Sequence, residues 1–359
     1  MFKNIPYIQI QGKLFTQEKL EVLCDQIIND SNVQLWEREI YSFIMDFFSS
    51  SDTIEVTTSG STGPPKKISI KKEHMIASAK ATVSFFNLEK DDTAWLCLPV
   101  KYIAGKMMIV RAIVGGLNLL YSEPNSIPVI TEEIKIDFVA MVPNQVFGLL
   151  EGAIGKRQLS NIGSLLIGGS GITNKLESDL LLNPSINAWH SYGMTETITH
   201  IALREIGANS NNFKPLAGVE VSTNSEGQLI IDAPKIGVDN LVTNDIADIL
   251  EDGSFIIVGR IDNVVVSGGI KLFLENIESK ISHHISQNYF VGGVPDEKLG
   301  EKLILFIEGS SMDNNLINKL RTDLQKFEIP KEIVHLPDFL RTDTGKIRRK
   351  EIIANYLKM

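Results

Sequence analysis

The chain has 359 residues, of which 43% are hydrophobic and 22% are charged. This composition is typical of folded globular proteins and excludes collagen-like, coiled-coil and largely disordered classes. The net charge of -9 argues against a broad nucleic-acid-binding surface, although a local anion site fits it. The length exceeds what one core of usual size needs, so we expect two domains.

The cysteines and the N-terminal residues give no sign of export. Cys24 and Cys97 match no zinc or redox spacing, which is typical of free thiols in a reducing compartment. The first residues lack the basic start and apolar run of a secretory signal. No uninterrupted apolar stretch reaches the length of about 18 residues that a membrane span needs. We therefore expect a soluble, cytoplasmic protein.

Apolar periodicity predicts alternating strands and helices over the first 200 or so residues. Residues 13–50 have helical spacing. The elements predicted after them are a strand at 53–57, a helix at 76–86, a strand at 93–98, a helix at 105–114, strands at 118–121 and 138–142, a helix from 146, and strands at 165–168 and 186–191. Strands separated by helices of this length predict a large layered α/β domain with parallel strand pairs.

The pattern changes after about residue 213, where short β runs predict a small β subdomain. These runs are at 218–221, 228–231 and 255–258, and the later predicted elements are a strand at 264–267, a helix at 275–283, strands at 290–294 and 303–307, a helix at 315–325 and a basic helix after 346. We expect a large N-terminal α/β domain at 1–261, including the β subdomain, and a small α+β C-terminal domain at 262–359.

A loop rich in hydroxyl groups and glycine follows the predicted strand at 53–57. It reads TTSGSTGPPK from Thr57 to Lys66. Its glycines let backbone N–H groups converge on an anion, its hydroxyls can donate hydrogen bonds to phosphate, and Lys66 adds a positive charge. The spacing excludes a Walker A loop, because no Gly-Lys-Ser/Thr follows at the required distance. The alternative is a flexible Ser/Gly surface loop.

This loop resembles the phosphate-binding signature of the acyl-adenylate-forming superfamily, which includes acyl-CoA synthetases, peptide-synthetase adenylation domains and luciferases. Other motifs of that superfamily follow in order. Residues 191–196, SYGMTE, resemble its second signature, and the resemblance implies that Thr195 contacts the α-phosphate and Glu196 holds Mg²⁺. Residues 168–171, GGSG, resemble its glycine turn on the adenine side.

The resemblance continues through two motifs near the predicted domain boundary. Residues 243–248, TNDIAD, resemble the Thr-Gly-Asp segment with both usual glycines replaced, and Asp245 would accept hydrogen bonds from ribose. Residues 259–263, GRIDN, resemble the boundary motif. The resemblance places Arg260 near the ribose or phosphates and Asp262 at the hinge. Without the resemblance, Asp245 and Arg260 would be interpreted as ordinary solvated charges.

Two motifs of the predicted small domain complete the resemblance. Residues 267–271, SGGIK, carry Gly268 and Gly269, which would permit close approach of the pantetheine chain. Residues 341–347, RTDTGKI, resemble the closing motif, whose lysine, Lys346, approaches the carboxylate and the α-phosphate. The residues that the resemblance assigns to ATP binding are Thr58, Ser59, Gly60, Ser61, Thr62, Gly63, Gly169, Ser170, Tyr192, Gly193, Met194, Asp245 and Arg260.

The resemblance implies a two-step ligase reaction and an acyl-CoA synthetase-like fold. A carboxylic acid reacts with ATP to give an acyl-adenylate and pyrophosphate, and coenzyme A then forms the thioester and releases AMP. Lys346, Lys66 and Thr195 would be catalytic, with Mg²⁺ on Glu196, and the small domain would rotate about Asp262 between the steps. The acid is already ionised at pH 7, so no general base is needed. We expect small-molecule partners, no nucleic acid, and a homodimer.

Four residues are candidates for the site that selects the acid. In LPVKYIAG at 98–105, Lys101 and Tyr102 replace the superfamily's Phe-His pair. Arg111 lies in an apolar helix, where it either pairs with a structural carboxylate or, like Lys101, receives a second carboxylate of the substrate. His200 is a further candidate for the acid pocket.

Within the superfamily these residues resemble the o-succinylbenzoate–CoA ligases of menaquinone biosynthesis, in a compact form with a shortened region before the phosphate loop. The alternatives are another acyl-CoA ligase, an adenylating enzyme that loads a carrier-protein thiol, and a non-catalytic nucleotide-binding paralogue.

Overall fold

The computed structural model describes residues 7–57, 67–130, 134–208, 212–310, 315–341 and 347–358. Packing divides the chain into two units. The first consists of Met1–Val221, Ile231–Leu241 and Glu251–Ser254, and the second of Ser222–Ile230, Val242–Leu250 and Phe255–Met359. Three β segments from the predicted first domain thus pack with the second unit. The expectation that a mobile C-terminal domain begins at residue 262 stays a prediction.

The first unit begins with two short strands and two helices, after which strands and helices largely alternate. In chain order they are β1 (Ile8–Ile10), β2 (Lys13–Phe15), α1 (Gln17–Asn29), α2 (Leu35–Phe48), β3 (Thr53–Thr57), β4 (Lys67–Lys71), α3 (Lys72–Phe85), β5 (Thr93–Leu96), α4 (Ile103–Gly115), β6 (Asn118–Tyr121), β7 (Ile136–Met141), α5 (Pro143–Leu150), α6 (Ala153–Ser160), β8 (Ile162–Ile167), α7 (Asn174–Leu181), β9 (Ala188–Gly193), β10 (His200–Glu205) and β11 (Lys214–Pro215).

A nine-stranded sheet in the order β11-β10-β9-β8-β7-β5-β6-β1-β2 organises this unit. Its six central strands are parallel, and β2, β10 and β11 are antiparallel to their neighbours at the edges. Phe138 and Ala140 of β7 belong to one apolar cluster, while Val139 and Met141 belong to another. Both faces of the sheet are therefore covered, as the run of apolar residues in a parallel strand requires. The prediction of a layered α/β fold is confirmed.

The later elements are mostly strands. They are β12 (Glu220–Thr223), β13 (Gln228–Ala233), β14 (Val238–Ile249), β15 (Phe255–Arg260), β16 (Val264–Ser267), β17 (Ile270–Phe273), α8 (Leu274–Ile281), β18 (Tyr289–Asp296), β19 (Gly300–Glu308), α9 (Leu316–Leu320), β20 (Glu332–Leu336) and α10 (Arg349–Tyr356). One sheet has the order β12-β13-β14-β15, and another has β17-β16-β19-β18 with β20 parallel to β19.

Two predicted helices of the second unit are shorter than expected. The helix predicted at 275–283 ends as α8 at Ile281, and a single 3-10 turn, Ser282–His284, follows it. The helix predicted at 315–325 is only α9, because the chain turns after Leu320 and Thr322 Oγ1 donates to the Lys319 carbonyl at 2.7 Å. No helix in the described part of the chain is long and apolar enough to cross a membrane.

A partly buried ion pair anchors the C-terminal helix α10 to α8. Glu278 receives two hydrogen bonds from the Arg349 guanidinium, at 2.8 and 2.9 Å, and a third from the Val291 backbone N–H at 2.8 Å. The Glu278 side chain is 14% exposed. Removing Glu278 leaves the Arg349 charge without its partner in a partly desolvated position.

We expect Glu278→Ala to lower the free energy of unfolding of the second unit by about 2 kcal/mol. Native-state hydrogen exchange of the β18 and β19 amides measures this locally. The matched control is Glu351→Ala, which removes the exposed Arg348–Glu351 pair and should lower the free energy of unfolding by less than about 1 kcal/mol. Equal effects of the two substitutions would contradict the anchoring role.

Candidate functional site

Two of the predicted ATP-binding segments lie at neighbouring strand ends. Gly169 and Ser170 follow β8, and Tyr192 and Gly193 end β9. Because β8 and β9 pair in parallel, both segments lie at the carboxyl edge of the sheet, where open α/β sheets bind their ligands. Gly169 has a φ of +85°, a conformation that favours glycine.

The close approach of β9 to the following strand explains the glycine at 193. A Cβ on Gly193 would lie 2.1 Å from the Thr199 carbonyl oxygen, which no side chain allows. Thr197 fixes the intervening turn, because its buried Oγ1 accepts a hydrogen bond from the Met194 N–H at 2.9 Å and donates one to the Thr199 carbonyl at 2.7 Å. Thr197 was not among the predicted site residues, although it lies next to the second signature.

The same turn holds a strained residue and two of the predicted site residues. Ile198 has a φ of +67°, which a β-branched residue rarely adopts and which stores about 1–3 kcal/mol. Thr195 is half-buried and Glu196 is exposed. Among the described residues no hydrogen bond or ion pair engages the Glu196 carboxylate, so its oxygens are available to a hard cation. This residue therefore fits a Mg²⁺ ligand.

An aromatic group lies beside this strand end. The Phe213 ring centroid is 5.8 Å from that of Tyr192 and 5.1 Å from that of His190. Arg204 pairs with Glu177 through two hydrogen bonds at 2.5 and 3.1 Å. Burial, with a further contribution from Arg204, lowers the pKa of His190 to about 4. His190 is therefore neutral at pH 7, and the buried Phe213 ring packs against it, Tyr192 and the Arg204 guanidinium.

A buried arginine lies in α4 among hydroxyl groups. Arg111 is 2% exposed. Its Nε donates to Thr82 Oγ1 at 3.2 Å, its Nη2 to Thr199 Oγ1 at 3.4 Å and its Nη1 to Met108 Sδ at 3.7 Å. No carboxylate among the described residues pairs with it, so the interpretation as a structural ion pair is wrong for this part of the chain. Burial lowers the pKa of Arg111 to about 9, which leaves it protonated at pH 7.

His200 belongs to the same cluster. It is 6% exposed, and its Nε2 lies 3.2 Å from Thr82 Oγ1. Burial, followed by the nearby Arg111 charge, holds the pKa of His200 well below its usual value, so the ring is neutral. His200 also pairs with Gly193 in the β9–β10 ladder. The buried cation therefore lies next to the strand end that carries the second signature.

The hydroxyl groups that hold this cluster were not predicted. Ser78 Oγ lies 3.1 Å from Thr199 Oγ1, and Thr82 bonds both Arg111 and His200. Ser78 and Thr82 are four residues apart on α3, on the face that buries its apolar residues. The helical spacing of Ser78 and Thr82 on an apolar face is visible in the sequence and could have predicted a buried polar cluster there.

Lys101 and Tyr102 lie outside the cluster around Arg111. Lys101 is exposed, with its Nζ 5.1 Å from the centroid of the Tyr102 ring, and Tyr102 precedes α4 as its N-cap. None of the hydrogen bonds of the Arg111 cluster involves either residue. The structure thus brings Arg111 and His200 together, without Lys101.

Three predicted residues of the second unit form one ionic network. Asp245 and Arg260 are paired across β14 and β15, with Arg260 Nη1 3.2 Å from Asp245 Oδ1. Arg260 also donates to both oxygens of Asp262, at 2.9 and 3.1 Å. The Asp262 carboxylate raises the pKa of Arg260, and the guanidinium lowers the pKa of Asp262. Arg260 and Asp262 are therefore charged at neutral pH.

The predicted glycines at 268 and 269 form the tight turn between β16 and β17. Their φ angles are +58° and +83°, and a Cβ at Gly269 would meet nothing within 4 Å. The backbone here is accessible to a ligand. The predicted residues Thr58, Ser59, Gly60, Ser61, Thr62, Gly63, Lys66 and Lys346 lie outside the described residues.

Known proteins resemble the chain over most of its length. A family model described as AMP-binding enzyme matches residues 56–232. A 2-succinylbenzoate–CoA ligase of Listeria monocytogenes is 28% identical over 330 residues, covering 84% of this chain and 69% of that protein. A solved acyl-CoA synthetase (AMP-forming)/AMP-acid ligase II-like protein from Dyadobacter fermentans is 32% identical, with coverage of 94% of this chain and 97% of that one and a TM-score of 0.63.

A further solved structure shares the fold at lower identity. It is the o-succinylbenzoate CoA synthetase from Bacillus subtilis in complex with the acyl-adenylate intermediate OSB-AMP. That chain is 16% identical, with a TM-score of 0.76 and coverage of 98% of this chain and 96% of the other. The large sheet and the later β-rich elements thus have counterparts in a known ligase.

Proposed function

This chain belongs to the AMP-binding enzyme family, as an AMP-forming acyl-CoA synthetase, and from that premise we propose that it joins 2-succinylbenzoate to coenzyme A in menaquinone biosynthesis. The acid would first react with ATP to give an acyl-adenylate and pyrophosphate. Coenzyme A would then displace AMP and form the thioester.

The buried Arg111 is the observation that carries the choice of acid. A guanidinium removed from water is unfavourable unless an anion compensates it, and the described residues supply only hydroxyls and a thioether. 2-Succinylbenzoate has an aromatic carboxylate besides the succinyl carboxylate that is activated. We infer that this second carboxylate pairs with Arg111. His200 stays neutral beside it and can complete the hydrogen bonding.

The first step needs positioning and charge neutralisation rather than a base. The ionised carboxylate attacks the α-phosphorus, and we assign Thr195, Lys66 and Lys346 to the phosphate and carboxylate oxygens. Glu196 would hold Mg²⁺, which neutralises phosphate charge when it is bound. Tyr192, Gly193 and Met194, together with Gly169 and Ser170, would border the adenine at the carboxyl edge of the sheet.

Thioester formation needs a different set of groups at the adenylate. In our proposal the small domain turns about Asp262, and the open turn at Gly268 and Gly269 comes close to the pantetheine chain. The attacking thiol could also belong to a carrier protein. An assay without coenzyme A but with a phosphopantetheine-loaded carrier distinguishes that acceptor.

A matched pair of acids tests the proposed substrate. 4-Phenyl-4-oxobutanoate is 2-succinylbenzoate without its aromatic carboxylate. We expect kcat/KM for pyrophosphate release to be at least about 100-fold higher with 2-succinylbenzoate, because only this acid can pair with Arg111. Comparable values for the two acids, or no pyrophosphate release with 2-succinylbenzoate, would contradict the proposal.

The Asp245 carboxylate should contribute to ATP affinity. We expect Asp245→Ala to raise the KM for ATP about 10- to 100-fold, since it removes a charged acceptor for ribose hydroxyls and an ionic partner of Arg260. The control is Asp248→Ala, an exposed carboxylate on the same strand. A KM for ATP that is unchanged in Asp245→Ala would remove Asp245 from the nucleotide site.

The quaternary structure and location of the protein stay predictions. We expect a homodimer in the cytoplasm. Light scattering coupled to size exclusion should give the mass of two chains, and the mass of a single chain would refute the dimer.

A further inference from the structure

A cluster of two imidazoles and one carboxylate lies in the second unit and includes none of the residues proposed for ATP, acid or coenzyme A. His283 and His284 belong to the 3-10 turn after α8, and Asp323 follows α9. Asp323 Oδ2 lies 3.1 Å from His283 Nε2 and 2.5 Å from His284 Nε2. One ligand-capable atom from each residue lies within 4.8 Å of the other two.

Both histidines approach the same carboxylate oxygen, Asp323 Oδ2, and do not form ion pairs with separate acceptors. The two imidazole rings lie 4.0 Å apart between centroids, and both direct Nε2 at the same carboxylate oxygen. Metal–nitrogen and metal–oxygen bonds of about 2.0–2.2 Å place neighbouring ligand atoms roughly 3 Å apart. The 3.1 Å separation of Asp323 Oδ2 from His283 Nε2 is close to that spacing, and the 2.5 Å separation from His284 Nε2 would lengthen by side-chain rotation to admit an ion.

The backbone on both sides of the cluster is anchored. Ser282 Oγ donates to the Ser279 carbonyl at 2.9 Å, which ties the 3-10 turn to the end of α8. The Asp323 N–H donates to the Leu320 carbonyl at 3.3 Å. The His284 side chain is 17% exposed and that of His283 is 61% exposed. The cluster is therefore held from one side and open to solvent on the other, where an ion can enter and retain water.

We propose that His283, His284 and Asp323 bind a divalent transition-metal ion of the Zn²⁺ class. Two imidazole nitrogens and one carboxylate oxygen suit Zn²⁺, Co²⁺ or Ni²⁺, whereas Mg²⁺ prefers oxygen ligands alone. The ion would have three protein ligands and water. It would join the turn after α8 to the turn after α9, and thereby stabilise the second unit against unfolding.

Calorimetric titration of the untagged, metal-free full-length chain with Zn²⁺, in the absence of ATP, tests this site. We expect saturable binding of one ion per chain and a rise in the midpoint of thermal unfolding. His283→Ala should weaken binding at least about tenfold, and its exposed position makes it the substitution least able to disturb folding. Asp323→Asn and His284→Ala should weaken binding as strongly and remove the thermal shift.

Two controls separate this site from the rest of the molecule. His335→Ala changes a histidine of the same unit outside the cluster and should bind Zn²⁺ like the parent chain. Co²⁺ should give d–d absorption bands in the parent chain, and His283→Ala should abolish them. A merely structural role of the histidine would not produce this loss. No saturable Zn²⁺ binding, or unchanged affinity in His283→Ala and Asp323→Asn, would overturn the proposal.

Discussion

Arg111→Met will lower kcat/KM for adenylation of 2-succinylbenzoate by about 100-fold or more, while leaving that for 4-phenyl-4-oxobutanoate within a few-fold of the parent value. The reason is that methionine fills much of the same volume but cannot pair with the aromatic carboxylate. The ATP–pyrophosphate exchange rate measures this step without coenzyme A, so ionisation of the thiol does not affect the measured rate.

The same substitution should leave the fold intact. Arg111 is buried without a carboxylate partner among the described residues, so replacing it with an apolar side chain relieves desolvation. Thr82 and Thr199 keep other hydrogen-bond partners, including the Ser78 carbonyl and the Ser78 hydroxyl. We expect the midpoint of thermal unfolding to stay equal or rise. A large loss of stability, or equal loss of activity with both acids, would show that Arg111 is structural.

Lys346→Ala will reduce adenylate formation by at least about 10²- to 10³-fold and spare thioester formation from preformed acyl-adenylate. The lysine is proposed to neutralise charge on the carboxylate and the α-phosphate during adenylation, and rotation of the small domain about Asp262 would withdraw it before the thiol attacks. Single-turnover assays of each half-reaction measure the two rates separately.

Lys350→Ala is the matched control for Lys346→Ala. Lys350 is an exposed lysine of α10, a few residues further along the chain. It should change neither half-reaction. Equal loss of both half-reactions in Lys346→Ala would contradict its assignment to adenylation.

The architecture of the first unit was largely predictable, because its signals are local. The alternation of apolar strands and amphipathic helices predicts the parallel sheet, and β6 has the predicted bounds, 118–121. The helix α7 was missed even though Thr173 caps it by accepting from the Leu176 N–H at 3.2 Å. Its spacing of Leu176 and Leu180 is helical, so the signal was present.

The acid site was predictable only in part. That Arg111 is buried follows from its apolar helix, but its partners belong to α3 and to the chain just before β10, which the sequence does not connect to it. The strained Ile198 and the buried Thr197 likewise depend on the approach of β9 to β10. Such non-local packing is fixed by tertiary structure, so it has no reliable signal in a single sequence.

Formation of 2-succinylbenzoyl-CoA by the purified chain tests the central claim most directly. Mass spectrometry of a reaction with ATP, Mg²⁺, coenzyme A and 2-succinylbenzoate should show the thioester together with equal amounts of AMP. Omission of coenzyme A should leave acyl-adenylate and pyrophosphate without thioester. Absence of the thioester at enzyme concentrations that adenylate another carboxylic acid would contradict the proposed substrate.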